Sequence, residues 1–250
     1  MARRFPPDGA SLVTSFEALR DEVARANRAL AEAGLVALAF GNASGVDRAA
    51  GAVLIKPSGI ACDAVEPDQI VAVSLADGSV LEGGLRPSSD TPTHLELYRR
   101  FASIGGVVHT HSSYAAAFAQ AGLDIPCLGT THADHFAGPV PVSRALSEAE
   151  IAGEYERATG EVIAGTLEAL GLDALAMPAI LVRSHGPFTW GRSALDAAAN
   201  AEAVELVAAM AHRTLALAPD ATPLDEALRL RHFERKHGPA AYYGQGFEDR

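Results

Sequence analysis

Apolar positions in this chain follow a helical period in some stretches and form short unbroken runs in others. Residues 14–33 carry apolar side chains every three to four positions and so predict a helix, with Thr14 and Glu17 as its capping pair and Gly34 past its end. The same period and the same kinds of cap predict five more helices, which begin near Asp90, Ser112, Ser147, Ser193 and Thr222.

Short apolar runs predict the strands of a sheet at 35–40, 52–55, 70–75, 80–81, 105–109 and 179–182. The Asp77-Gly78 step between two of these runs is typical of a tight hairpin. Helices that alternate with short strands indicate an α/β fold of three layers, α/β/α, around a central mixed and largely antiparallel sheet. Loops are predicted at 41–45 and 129–135, and Gly186-Pro187 is expected to end strand pairing just after His185.

Length and composition favour one domain. The 250 residues are 48% hydrophobic without internal repeats, so 1–250 are expected to share one core, with 1–13 as a flexible start and 237–250 as a tail. No apolar run approaches about eighteen residues and the start lacks the apolar core of a signal peptide, so a cytoplasmic protein without membrane contact is expected. The formal charge of −11 argues against a nucleic-acid partner.

The pair His109 and His111 is the strongest candidate for chemistry. Residues two apart in a strand point to the same face with Cα atoms ~7 Å apart, a spacing at which two imidazoles can share one metal ion. A third histidine at a strand end, His185, would complete three nitrogen ligands and leave a position for water or substrate. Each histidine alone is also compatible with a hydrogen-bonded residue of a sheet or turn, and only the set of three favours metal.

Three loops of similar character could bind an anion. Residues 41–45, 56–59 and 87–90 each offer hydroxyl groups or unhindered amides, and the second adds the ammonium group of Lys56. Together these groups suit a phosphate dianion, whereas each loop alone is equally typical of an ordinary turn. Spacing by itself singles out none of the possible proton carriers, which are Asp90, Asp134, His232, Tyr242 and Tyr243.

These motifs resemble the class II aldolase and epimerase superfamily and, within it, the pentulose-phosphate 4-epimerases. The resemblance runs from about Val23 to Gln245 and rests on segments 41–44, 55–59, 87–94, 106–112, 129–134, 153–156, 184–188, 236–238 and 241–245. The histidine pair and segment 56–59 mark the superfamily. Segments 88–94, 130–134 and 242–245 are more particular to the epimerases.

The resemblance assigns a role to residues of each motif. It implies a site for Zn²⁺ or another divalent cation such as Mn²⁺, whose ligands fall on His109, His111 and His185 with the carboxylate of Asp90. It implies phosphate-binding groups at Asn42, Ser44, Lys56, Ser58, Gly59, Ser88 and Ser89. The two acid/base residues fall on Asp134 and Tyr243, supported by Thr130 and His232, and the role of Tyr242 beside Tyr243 stays open.

The activity that the resemblance implies is the interconversion of L-ribulose 5-phosphate and D-xylulose 5-phosphate. The C3–C4 bond would break by a retro-aldol step and re-form on the other face of the aldehyde, because the C4 hydrogen is not α to the carbonyl. The implied assembly is a homotetramer with active sites between subunits, so the tail tyrosine would serve a neighbour's site. A small sugar phosphate is then the expected partner.

Two alternatives stay open at the level of sequence. An aldolase of the L-fuculose-1-phosphate type resembles the chain around the histidines but carries Glu where this chain has Asp90, and the longer acid can reach the enediolate to protonate it. A non-catalytic interaction module is the other, because the superfamily fold also occurs in cytoskeletal proteins that lack the metal site. The presence of His109, His111 and His185 argues against this module.

Overall fold

A computed structural model describes residues 16–238 and 241–242. Its sheet has seven strands in the order β4-β3-β2-β1-β5-β7-β6. The strands are Asn42–Asp47 (β1), Ala52–Ile55 (β2), Val71–Ser74 (β3), Val80–Glu82 (β4), Gly106–His109 (β5), Ala179–Val182 (β6) and Gly186–Gly191 (β7). All neighbouring strands of this sheet pair antiparallel, which confirms the expectation of a largely antiparallel sheet, and an isolated parallel bridge joins Val142 to Leu181.

Helices cover both faces of the sheet, which confirms the three-layer α/β arrangement. Among the described residues they are Glu17–Glu32 (α1), Thr91–Arg100 (α2), Ser113–Ala121 (α3), Thr130–Ala133 (α4), Glu148–Ala152 (α5), Tyr155–Ala169 (α6), Ala194–Leu217 (α7) and Glu226–His237 (α8). Two short 3-10 helices, Cys62–Ala64 and Pro67–Gln69, connect β2 to β3.

Alternation along the strands divides the core into two apolar clusters. Val53 and Val107 point to one face and pack in a cluster with Tyr98 of α2. Leu54 and Val108, their neighbours along the strands, lie in the cluster of α1 and the start of α7 on the other face. The strands are apolar at both positions because helices bury both faces of the sheet.

Carboxylates from distant helices cap the starts of α3 and α7. Glu205 accepts hydrogen bonds from the backbone amides of Tyr114 and Ala115, and Glu22 accepts one of 2.6 Å from the amide of Ala194. A helix N-terminus has unpaired amides and a partial positive charge, so each carboxylate stabilises the junction. The cap on α3 also fixes the chain just after His111.

The first predicted strand is wrong. Residues 35–40 form a loop in which Leu38, at φ 57°, and Phe40 are exposed, and the strand begins only at Asn42. The predicted small-residue loop at 41–45 is therefore mostly strand β1. Gly45 in this segment admits helix α1 rather than a ligand, because a Cβ at that position would lie 2.7 Å from Leu19 Cδ1 of α1.

Strand pairing continues through Pro187, contrary to the expectation that it ends there. Pro187 lies opposite Leu181 of β6, and β7 pairs with β5 on its other side. His185 consequently lies in the tight turn between β6 and β7, where Ser184 adopts φ 62°. Proline lacks the N–H donor, but its carbonyl oxygen still accepts a hydrogen bond from Thr110 N at 3.3 Å.

Other predicted elements hold with altered bounds. The 77–78 hairpin, the α3 end at Gly122 and the Ser193 cap of α7 are confirmed, and Ser147 caps α5 in a capping box with Glu150. The predicted helix from Ser147 breaks near Gly153 into α5 and α6. The loop predicted at 129–135 contains α4, and the last helix begins at Glu226 with Asp225 as its cap rather than at Thr222.

No helix among the described residues is long and apolar enough to cross a membrane. Thr14, the start at 1–13, and Tyr243 in the tail lie outside the described residues. The assignment of 1–250 to one domain stays a prediction.

Two glycines of α6 are expected to respond in opposite ways to alanine. A Cβ on Gly160 would lie 2.7 Å from Glu96 Cβ and 3.0 Å from the Thr93 carbonyl oxygen of α2, so Gly160→Ala should destabilise the fold by ~1–3 kcal/mol. A Cβ on Gly165 meets nothing within 4 Å, so Gly165→Ala should stabilise it by ~0.5–1 kcal/mol. Urea unfolding followed by circular dichroism measures both, and equal signs would contradict this packing of α2 on α6.

Candidate metal and phosphate site

The three predicted histidines meet at one end of the sheet. β5 ends at His109, and the chain continues through Thr110 to His111. His109 lies opposite Phe188 of β7, so the turn before β7 brings His185 beside the pair. Antiparallel pairing of β5 with β7 is thus the feature that assembles histidines distant in sequence.

Their ring nitrogens converge closely enough for one metal ion. Nε2 of His109 and Nε2 of His111 are 2.9 Å apart, and one ligand atom from each of the three histidines lies within 4.8 Å of the others. Nδ1 of His109 is 3.0 Å from the Pro187 carbonyl oxygen, to which it must donate a hydrogen bond. Its proton is therefore on Nδ1, and the Nε2 lone pair points at the other two rings.

Burial favours the neutral form of His109 and His185, which is the form that binds metal. Desolvation is the main cause of a pKa well below the ordinary value for His109, and the neighbouring His185 and His111 lower the pKa further. Desolvation likewise lowers the pKa of His185. The Phe188 ring stacks on His109 with centroids 4.1 Å apart. Three converging nitrogen donors, one of them oriented by a backbone acceptor, fit a divalent cation such as zinc.

A cavity of about 290 Å³ opens beside the histidines. Its walls bring together all three histidines and most of the polar residues predicted from the loops, namely Asn42, Lys56, Ser58, Gly59, Ser88, Ser89 and Asp90. The cavity therefore combines three nitrogen donors that suit a metal ion with hydroxyl, amide and ammonium groups that suit an anion. Convergence of a few polar groups in this way is typical of ligand pockets.

Asn42 connects two of the predicted loops. Its Nδ2 donates to Asp90 Oδ2 at 2.6 Å and to Ser88 Oγ at 3.1 Å. Its buried Oδ1 has no partner among the described residues. Asp90 lies next to the histidines but outside the group of converging ligand atoms, because its carboxylate faces Asn42. Its role as a fourth ligand stays a prediction.

Lys56 is a buried cation without a close anionic partner among the hydrogen bonds of the described chain. Lys56 is only 2% exposed. Its Nζ lies 3.5 Å from the carbonyl oxygen of Ala39 and 3.4 Å from that of Pro57. Burial lowers the pKa of Lys56, although Cys62 and Asp90 act to raise it. A charge desolvated in this way favours an anion in the adjoining cavity.

The structure does not bring Ser44 to the cavity, contrary to its predicted phosphate-binding role. Its Oγ lies 2.7 Å from His94 Nδ1 and 2.8 Å from Tyr98 Oη of α2, and all three side chains are buried. Ser44 shares a strand face with Asn42 but lies two residues deeper, where α2 covers the sheet. Burial lowers the pKa of His94 to about 3, so this network is uncharged packing.

Asp134 and its neighbours form a separate cluster between α4 and α8. Asp134 accepts hydrogen bonds from Arg235 Nη2 at 2.6 Å, Arg235 Nε at 3.0 Å and His232 Nδ1 at 3.0 Å. Burial acts to raise the pKa of Asp134, but the hydrogen bonds from Arg235 and His232 outweigh it and hold the pKa below its ordinary value. Neither Asp134, Thr130 nor His232 lines the histidine cavity within the described chain. Tyr243 lies outside the described residues.

Phe40, Tyr155 and Glu156 line the cavity although the sequence predicted no role for them. The Phe40 ring stacks on His111, nearly parallel at 5° with centroids 5.7 Å apart. Tyr155 Oη is 3.5 Å from His185 Nδ1, and Glu156 follows it in the cavity wall. Tyr155 and Glu156 belong to the 153–156 motif, so that motif was a usable signal. For Phe40 the sequence carried no such signal, because the apolar run 35–40 predicted a buried strand there.

Comparison with known proteins places these features in a family context. A family model for the class II aldolase and adducin N-terminal domain matches residues 21–212. L-ribulose-5-phosphate 4-epimerase UlaF of Salmonella paratyphi C is 53% identical over 231 residues, which are 92% of this chain and 100% of that protein. The protein of the same name from Salmonella typhi has the same identity and coverage.

Solved structures show the same fold. An L-fuculose 1-phosphate aldolase superposes with a TM-score of 0.73 at 23% identity, covering 87% of this chain and 95% of that chain. The l-fuculose-1-phosphate aldolase of Thermus thermophilus gives a TM-score of 0.63 at 23% identity, covering 82% and 99%. At these identities the likeness concerns the fold alone.

Removal of one histidine is expected to abolish metal retention. His185→Ala deletes one of three converging nitrogens, so zinc affinity should fall by at least ~10²-fold, beyond the loss typical of a residue that only supports a ligand. Metal content after dialysis and competition with a chelator measure it. His212→Ala, at an exposed histidine on α7, is the matched control and should retain metal like the wild type. Equal zinc affinity in both variants would contradict the three-histidine site.

Proposed function

The chain belongs to the class II aldolase and adducin family, and on that premise we propose that it is a divalent-metal L-ribulose-5-phosphate 4-epimerase. The relatives that are 53% identical over their whole length carry that name, which supports the proposal. The structural observation that carries it is one cavity in which the three histidines face buried Lys56 and the serine loops. Such a cavity suits a sugar with a phosphate at one end and vicinal oxygens at the other.

The phosphate group would bind at the Lys56 end. Lys56 supplies a desolvated ammonium, and Ser58, Ser88 and Ser89 supply hydroxyl groups around the same space. Gly59, at φ 76°, lets the backbone turn in a conformation that side chains disfavour. A dianion receives charge-assisted hydrogen bonds from such a set, and its fixed position would hold the C4–C5 fragment after bond cleavage.

The reaction needs no proton removal from C4 itself. A base takes the proton of the C4 hydroxyl, the C3–C4 bond breaks, and its electron pair moves into the enediolate of dihydroxyacetone while C4 becomes the aldehyde of glycolaldehyde phosphate. The aldehyde then turns its other face, C3 adds to C4, and an acid protonates the new C4 oxygen. Two proton-carrying groups on opposite faces meet this need.

His109, His111 and His185 would hold the divalent cation, and Asp90 would complete or orient that set. The bound cation, zinc or manganese, would supply Lewis-acid stabilisation of the negative oxygen charge that develops on C2 and C3. The protein's own contribution includes the hydrogen bond from His109 Nδ1 to Pro187 and the ring of Phe40, which stacks on His111.

We assign Asp134 and Tyr243 as the two acid/base residues, with Thr130 and His232 in support. Because the Asp134 cluster does not line the histidine cavity of its own chain, the cavity would be completed by a second subunit. Exposed apolar side chains near α4 fit such contacts, among them Leu206 and Met210 of α7. We therefore propose a homotetramer with active sites between subunits, and a cytoplasmic location stays a prediction.

The proposal is tested by incubating the zinc-loaded protein with L-ribulose 5-phosphate and following the mixture by NMR. D-xylulose 5-phosphate should accumulate until both ketoses reach equilibrium, because the reaction is an isomerisation. A chelator-treated sample is the control and should be inactive until zinc or manganese is restored. Stable L-ribulose 5-phosphate, or triose phosphate released from a ketose 1-phosphate at a comparable rate, would refute the proposal in favour of an aldolase.

Lengthening the acid at position 90 is expected to turn epimerisation towards cleavage. Asp90→Glu adds one methylene, so its carboxyl group can reach further into the cavity and protonate the enediolate before re-addition. Free dihydroxyacetone and glycolaldehyde phosphate should then appear, with a ratio of cleavage to epimerisation raised by ~10-fold or more, about the factor for 1.4 kcal/mol. Asp90→Asn, which has the original length, is the control and should not raise that ratio. A ratio equal to the wild type would contradict the role of acid length.

A further inference from the structure

The α8 helix presents several basic groups to one carboxylate. Arg235 and His232 hydrogen bond to the Asp134 carboxylate, Lys236 Nζ lies 4.0 Å from its Oδ2, and His237 Nε2 lies 2.9 Å from its backbone oxygen. From the side of α4, His135 is the neighbouring titratable group. The Asp134 side chain is 13% exposed and the Arg235 side chain 23%, so water screens their interaction only in part.

Arg235 is the one of these groups that fixes the carboxylate in two directions. Its Nη2 bonds Oδ2 and its Nε bonds Oδ1, a fork that matches the plane of a carboxylate. His232 reaches only Oδ1. Asp134 is the C-cap residue of α4, a helix of only four residues. The short helix does little to fix the orientation of the Asp134 side chain. The orientation of the Asp134 carboxylate therefore depends on α8.

We propose that Arg235 is a positioning residue for the acid/base step: it fixes the Asp134 carboxylate in one orientation and returns it to the ionised form in each turnover. This inference rests on the proposed function, in which Asp134 exchanges a proton with the C4 oxygen. When Asp134 has taken the C4 hydroxyl proton, it becomes a neutral acid beside a guanidinium cation. That state is unfavourable there, so the proton passes readily to the C4 oxygen or to water.

The electrostatics predict the direction in which the pH dependence of activity should shift, which a purely structural role of Arg235 would not. Hydrogen bonds from Arg235 and His232 hold the pKa of Asp134 below its ordinary value against the effect of burial. Loss of Arg235 should raise that pKa, so the activity of the carboxylate should be lost at a higher pH on the acid side. Replacement by lysine keeps the positive charge but loses the fork. It should therefore reduce the rate, and it should raise the pKa of Asp134 less than glutamine does, because the charge is kept while the fork of hydrogen bonds is lost.

The test compares Arg235→Gln and Arg235→Lys with Arg231→Gln, a matched control at an exposed arginine of the same helix. We expect kcat to fall by ~10²-fold in both Arg235 variants, as for a displaced catalytic group, with KM changed much less. The acid limb of the kcat/KM profile should move to higher pH in Arg235→Gln and should move by less in Arg235→Lys. Zinc content should be unchanged in all three, and Arg231→Gln should resemble the wild type throughout.

NMR of protein labelled with ¹³C at aspartate carboxyl groups provides a readout that does not need activity. The Asp134 signal, assigned from its absence in Asp134→Asn, should titrate at higher pH in Arg235→Gln than in the wild type. If the wild type does not epimerise L-ribulose 5-phosphate, the proposed function fails while this titration still measures the Arg235–Asp134 interaction. An unchanged titration, or wild-type kcat in Arg235→Gln of an active protein, overturns the inference.

Discussion

The hydrogen bond from His109 Nδ1 to the carbonyl oxygen of Pro187 is the contact on which the site depends. It requires Pro187 to lie within the sheet, where β7 pairs with β5, and the same pairing places His185 in the turn beside His109. The bond also sets the tautomer, because the Nδ1 proton leaves Nε2 free as a donor to metal. The carbonyl oxygen of Pro187 thereby determines both the position and the tautomer of the buried His109 ring.

Close approach of α7 to the histidine strand keeps that geometry rigid. A Cβ on Gly105 would lie 2.0 Å from the Arg192 carbonyl oxygen, and one on Gly106 would lie 2.2 Å from that of Ser193. These glycines let the start of α7 touch the strand backbone, while Glu205 of the same helix caps α3 just after His111. Helix α7 therefore supports the metal-type site from both ends of the segment that carries His109 and His111.

Opposite electrostatic environments prepare the two halves of the proposed catalytic machinery. Desolvation favours the neutral form of His109 and His185 and also destabilises the charge on Lys56, so the cavity favours a cation at one end and an anion at the other. Around Asp134 the donors of α8 outweigh burial and favour the carboxylate. The histidine cavity and the Asp134 cluster lie apart within one chain. The proposed subunit contacts would bring the cavity of one chain to the Asp134 cluster of another.

The sequence by itself determined the three-layer fold, most helices and most of the polar residues of the cavity, because apolar periods, caps and short motifs are local features. It failed where tertiary contacts override local preference. The apolar run 35–40 is a loop that is exposed from residue 37 to residue 40, and Pro187 pairs within the sheet although it has no N–H to donate. Only the tertiary structure showed that Ser44 lies under α2 and that Arg235 holds Asp134. Such pairings join residues far apart in the chain, and a linear pattern carries no information about their distance.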